Sequence, residues 1–95
     1  MSKLKFIQND FYCCECGKKG IPIARKINKI KEPGHLKKIF CLNCNKETNH
    51  VECRELNGYT YDDFLFEFEN GNFQDGLRIL PYGQFRAKIH NSKES

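Results

Sequence analysis

The chain has no tryptophan, only three prolines, and a single methionine at position 1. Serine is almost missing: Ser2, Ser92 and Ser95 all stand near the ends, so no serine nucleophile sits inside the sequence. No glycine-rich loop of the kind that cradles phosphates occurs. No apolar run approaches the roughly 20 residues needed to span a bilayer. At the start, lysines interrupt Leu4, Phe6 and Ile7, which argues against an export signal. Mean hydropathy is −0.69, a lean balance for 95 residues. A chain of this size buries little apolar surface and often needs a metal, disulfides or a partner. These absences predict a cytoplasmic protein with no membrane partner, no small-molecule substrate and no enzymatic activity. In a reducing compartment its cysteines stay reduced.

Cysteine, by contrast, is abundant, with six residues. Four of them form two Cys-x-x-Cys pairs, Cys13/Cys16 and Cys41/Cys44, with residues 17–40 between them. The two-residue gap lets both thiolates of a pair reach one ion from a tight turn. Gly17 and Asn45 directly follow the pairs, and these residue types accept the positive φ such a turn requires. Four converging thiolates suit tetrahedral Zn²⁺, so one structural zinc ion is expected, with no open coordination position for water or substrate. His50-x-x-Cys53 also has ligand spacing. It leaves open a second site, with Cys14 and His35 as further donors. The alternative makes Cys53 a small buried apolar residue and His50 a hydrogen-bonding partner of a zinc-bound sulfur.

Charge is divided along the chain. Residues 1–46 hold eleven Lys/Arg against three acids, a balance of +8, and residues 47–95 hold five against nine, a balance of −4. Lys18, Lys19, Arg25, Lys26, Lys29, Lys31, Lys37 and Lys38 crowd the stretch between the cysteine pairs. On two antiparallel strands they would form one basic hairpin able to neutralise phosphates, with Tyr12 and Phe40 as aromatic platforms for bases. In the bland reading the aromatics are core and the lysines are solvated.

The pattern predicts a lead-in strand over residues 1–11, then the first cysteine turn. Ile21 to Lys31 follows as a strand, although Ile23, Ile27 and Ile30 also fit helical spacing. Glu32-Pro33-Gly34 is a turn signal, Leu36 to Phe40 a returning strand, and Val51 to Leu56 a strand leaving the second cysteine turn. Asn57-Gly58 marks another turn. Tyr61, Phe64, Leu65 and Phe68 then repeat with helical period over 61–70, with Thr60 and Asp63 in capping-box positions and Asn70-Gly71 as a stop. Asp62, Asp63, Glu67 and Glu69 are read as the wet face of this helix and as a candidate protein contact. Gly76, Pro81 and Gly83 argue against a long helix in 72–88, which is read as a packed irregular segment with a short strand near Arg78–Leu80.

The two cysteine knuckles with a hairpin between them resemble the zinc ribbons of transcription factors, RNA polymerase subunits and ribosomal proteins. More narrowly, Gly17-Lys-Lys-Gly-Ile-Pro-Ile-Ala-Arg-Lys, Gly34-His-Leu-Lys-Lys, Cys41-Leu-Asn-Cys-Asn-Lys-Glu-Thr-Asn-His-Val-Glu and Asp63-Phe-Leu-Phe-Glu-Phe-Glu-Asn-Gly-Asn-Phe look like small uncharacterised zinc-ribbon proteins of phages and prophages. That resemblance implies a metal and a host-cytoplasm location but supplies no mechanism. The expected fold is a small metal-stabilised α+β domain, a zinc ribbon with a three-stranded antiparallel sheet plus one amphipathic helix. It occupies residues 1–88 (ribbon 12–56, helix 61–70, packed segment 72–88), with 89–95 as a disordered tail. The expected function is nucleic-acid binding, RNA or DNA, through the basic hairpin. The alternative is a phage-type protein-binding factor or inhibitor that engages a host complex such as RNA polymerase or a defence protein through the acidic helix.

Overall fold

A computed structural model describes residues 6–26, 32, 34–54 and 58–93. The first strand, β1 (Phe6–Cys13), is long because its two halves serve different neighbours. Phe6 to Asn9 pairs antiparallel with β2 (Ile23–Lys26), and Asp10 to Cys13 pairs antiparallel with β4 (Lys46–Cys53). Strand β3 (Leu36–Cys41) lies along the other side of β4, from Leu36 opposite Val51 to Cys41 opposite Lys46. The order is β2-β1-β4-β3. The sheet therefore has four strands where the sequence predicted three, because the lead-in strand joins it. Strand β4 also starts earlier than expected, at Lys46 rather than Val51.

This order removes the predicted hairpin. Strands β2 and β3 do not pair with each other; they form opposite edges of the sheet. Each instead folds back on the strand that shares a cysteine turn with it, since Cys-x-x-Cys reverses the chain as tightly as a β-turn does. Ile27, Ile30, Pro33 and Asn57, used in the strand and turn readings, lie outside the described residues.

Directly opposed residues share a face of a sheet, so Tyr12, Val51 and Leu36 line one side. Helix α1 (Tyr61–Glu69) covers that side. The Phe64 ring is fully buried, stacked 5.5 Å from Tyr12 and 5.4 Å from Phe68, with Phe73 at 5.9 Å. The helix begins as predicted: the backbone N–H and hydroxyl of Thr60 both donate to Asp63 Oδ2, at 2.8 and 3.1 Å.

The C-terminal segment is more regular than its composition suggests. Strands β5 (Phe73–Gln74) and β6 (Leu77–Arg78) make a hairpin with Asp75 and Gly76 at φ 53° and 78°, a turn whose twist suits antiparallel strands. Helix α2 (Tyr82–Lys93) follows, where the sequence predicted an irregular segment to 88 and a disordered tail from 89; residues 94 and 95 of that tail lie outside the described residues. Pro81 does not break it. It stands just before the first helical residue, where its carbonyl accepts from Phe85 N and its missing N–H costs nothing. The Phe85 ring meets Phe66 edge-on at 5.7 Å, so α2 packs on α1.

Glu67 is not on a wet face. Its carboxylate is fully buried and accepts Nε and Nη2 of Arg78, both at 2.8 Å, together with the Tyr59 hydroxyl and Asn72 Nδ2. Arg78 Nη1 then donates to the Gly34 carbonyl at 2.6 Å, and the guanidinium lies over the Tyr59 and Phe73 rings. This hub ties α1, the β5–β6 hairpin and the approach to β3 together. Tyrosine ionisation is suppressed at its centre: burial, then the Glu67 carboxylate, raise Tyr59 far above its ordinary value. Glu67→Ala leaves a buried guanidinium unpaired and is expected to cost about 3–5 kcal/mol in urea unfolding. Asp62→Ala or Glu69→Ala, both at exposed positions, should stay within about 0.5 kcal/mol. Equal small effects at all three positions would contradict the buried hub.

Candidate metal centre

Strand β1 delivers Cys13, and strand β3 delivers Cys41, each at the point where the chain turns. Gly17 N donates to the Cys13 carbonyl at 2.9 Å, and Asn45 N donates to the Cys41 carbonyl at 2.7 Å. Gly17 and Asn45 sit at φ 80° and 60°, the left-handed region the sequence assigned to them. Backbone N–H groups point at the sulfurs: Glu15 N and Cys16 N lie 3.3 and 3.4 Å from Cys13 Sγ, and Cys44 N lies 3.4 Å from Cys41 Sγ. Such donors stabilise thiolate.

Because β4 holds β1 and β3 on its two sides, the two turns meet. Cys13 Sγ is 3.8 Å from Cys44 Sγ, Cys16 Sγ is 3.7 Å from Cys41 Sγ, and all four sulfurs lie within 4.8 Å of one another. A disulfide needs about 2.05 Å, so these are not bonded pairs. A tetrahedral ion with metal–sulfur bonds of about 2.3 Å has sulfur–sulfur edges of about 3.8 Å. The cluster therefore fits a tetrahedral metal ion. Its thiols are mutually coupled as well. Burial alone would raise Cys41, but the Cys44 N–H and the neighbouring thiols outweigh it and bring Cys41 down to about 7. Burial, then the Cys13 and Cys41 thiols, raise Cys16. A divalent cation relieves this competition by holding all four as thiolates.

The other candidate ligands do not join. Cys14 and Cys53 are buried in the core beneath α1, and burial pushes both thiols up to about 12. Cys14 packs in the core cluster instead, where the Arg78 charge partly offsets the effect of burial. His50 is fully buried, with its Nδ1 donating to the Thr48 carbonyl at 3.0 Å. Its Nε2 is turned against Gly20, where an added methyl would lie 2.7 Å away, and has no hydrogen-bond partner among the described residues. The predicted hydrogen bond to a ligand sulfur falls instead to Thr48, whose Oγ1 lies 3.0 Å from Cys13 Sγ. His35 sits 3.4 Å from Glu32. No second cluster of ligating groups forms among the described residues. Thr48 was not singled out from the sequence. Its one signal is alternation, which puts it on the Cys13 side of β4.

The basic residues disperse. Lys18 and Lys19 follow the first cysteine turn, both exposed, with Lys19 paired to Asp10 at 3.4 Å. Arg25 and Lys26 end β2 on one edge, Lys37 and Lys38 lie in β3 on the other, and Lys29 and Lys31 fall outside the described residues. Tyr12 is committed to the core by its stacking on Phe64, and its ring also meets Tyr61 at 4.6 Å. Phe40 is 43 % exposed. Among the acids, Glu67 is enclosed, Asp63 caps α1 and accepts from the Tyr82 hydroxyl, and Asp62 and Glu69 remain exposed. No protein-family model, curated protein or solved structure matches the chain. No helix among the described residues is long and apolar enough to cross a membrane.

Purified protein is expected to carry one divalent ion with four sulfur neighbours near 2.3 Å by X-ray absorption. Cys44→Ser should release it and unfold the ribbon by circular dichroism. Cys14→Ala and Cys53→Ala should keep full metal stoichiometry while losing stability. A metal-free folded Cys44→Ser, or loss of metal in Cys14→Ala, would contradict the assignment.

Proposed function

We propose that the chain is a zinc ribbon whose four cysteines hold one structural Zn²⁺, and that it acts without catalysis as a binding module for single-stranded RNA or DNA. Four protein sulfurs complete a tetrahedral shell and leave no position at which water would be activated. The observation that carries the nucleic-acid reading is on β3. Side chains two apart on a strand share a face, so exposed Lys38 and half-exposed Phe40 lie side by side on an edge strand. An aromatic ring next to a cation is the minimal platform for a stacked base with its phosphate. The interface is thus the β3 edge rather than a basic hairpin. The reading of the acidic helix as a protein contact is weaker, because Glu67 and Asp63 are engaged inside the fold.

Fluorescence anisotropy with labelled oligo(dT) and oligo(U) tests this. Affinity is expected to fall steeply with salt, with the slope reduced by about 1 in Lys38→Glu. Phe40→Ala should lose about 1–3 kcal/mol of binding. Binding that is flat in salt, or unchanged by Phe40→Ala, would refute the proposal.

A further inference from the structure

A cleft of about 560 Å³ opens beside the metal centre, lined by Lys18, Lys19, Ile21, Pro22, Leu42 and Asn43. One wall is the second cysteine turn, which carries Leu42 at 76 % exposure between the ligands Cys41 and Cys44. The facing wall is the segment after the first turn, where Ile21 is 45 % exposed. A lone exposed leucine means little. Two aliphatic side chains and a proline around one concavity, in the volume range of ligand sites, do not arise from scattered surface residues.

Both walls are fixed in advance. The metal ligands hold the Leu42 turn. The facing segment is pinned to β1 by Cys13 N donating to the Lys18 carbonyl at 2.9 Å and Gly20 N donating to the Phe11 carbonyl at 2.7 Å. Gly20 lies so close to the His50 ring that no side chain fits there. A preformed cleft avoids much of the ordering cost of binding.

Its chemistry selects the occupant. No aromatic ring of the described residues lines it, so a base finds no stacking platform there. Aliphatic walls under a rim of two lysines fit an apolar side chain flanked by carboxylates. We infer that this cleft docks an extended acidic segment of a partner protein, with a leucine- or phenylalanine-type anchor between Ile21 and Leu42 and its acids at Lys18 and at Lys19, where they replace the exposed pair with Asp10. The surface is separate from the Lys38–Phe40 platform and stands whether or not nucleic acid binds.

The test is an amide NMR titration of zinc-loaded protein with two octapeptide pools. One alternates Asp/Glu with Leu/Phe, and the other alternates Lys/Arg with the same apolar residues. The acidic pool should shift amides of residues 18–21 and 41–43, and the basic pool should not. Leu42→Glu should weaken the acidic pool at least tenfold. Because Leu42 is exposed, that variant should keep one ion per chain and a dispersed spectrum, and Phe40→Ala should bind the pool normally. Absence of shifts at millimolar acidic pool, equal response to the basic pool, or the same amides moved by oligo(U) would overturn the inference.

Discussion

Everything in this fold hangs on four sulfurs meeting at the end of a narrow sheet. Strands β1 and β3 both pair with β4 and not with each other, and the cysteine turns close that end by bringing Cys13, Cys16, Cys41 and Cys44 within 4.8 Å. Four thiols in that space compete for protons and repel once ionised. A bound cation would relieve both effects. The constraint reaches further than the ribbon. The Phe68 ring of α1 lies against Gly17 of the first turn, 3.1 Å from where a Cβ would be. Glu15 in the same turn contacts Gly76 at the tip of the β5–β6 hairpin and pairs with Lys46 at 3.4 Å, while Asn49 Nδ2 donates to the Gly76 carbonyl at 2.8 Å. The C-terminal elements are therefore seated on the metal turn itself.

The second organising feature is the Glu67–Arg78 hub. A small protein with a lean aromatic core has few ways to fix how a helix sits on a sheet. Buried ionic groups add little net stability but punish any arrangement that leaves them unpaired. With Tyr59, Asn72 and the Gly34 carbonyl also engaged, one placement of α1, the hairpin and the β3 approach satisfies every partner. The four cysteines thus close one end of the sheet, and the hub sets what covers its face.

The cysteine cluster, its turn residues, strand β3 and helix α1 with its capping box were legible in the sequence, because each rests on local spacing. Pairing was not. Ile21–Lys31 and Leu36–Phe40 read as a hairpin since they are successive strands, and nothing local reveals that each cysteine turn reverses its own strand pair. Glu67 read as solvated because helical period alone puts it beside Asp63 and off the main stripe. Its partner Arg78 lies eleven residues on in a segment whose glycines and proline masked a hairpin and a second helix. His50 read as a further ligand or as a hydrogen-bonding partner of a ligand sulfur, whereas its Nδ1 donates to the Thr48 carbonyl, a pairing that local spacing does not encode.

The central claim is that one metal site holds the C-terminal elements as well as the ribbon. Hydrogen–deuterium exchange, followed by mass spectrometry while a chelator strips the ion, measures this directly. The account predicts that protection in α1 and at Ile79–Leu80 is lost together with that of β4, in one cooperative step. Retention of a protected α1 and β5–β6 hairpin after the ribbon has opened would show that they fold without the metal and would contradict it.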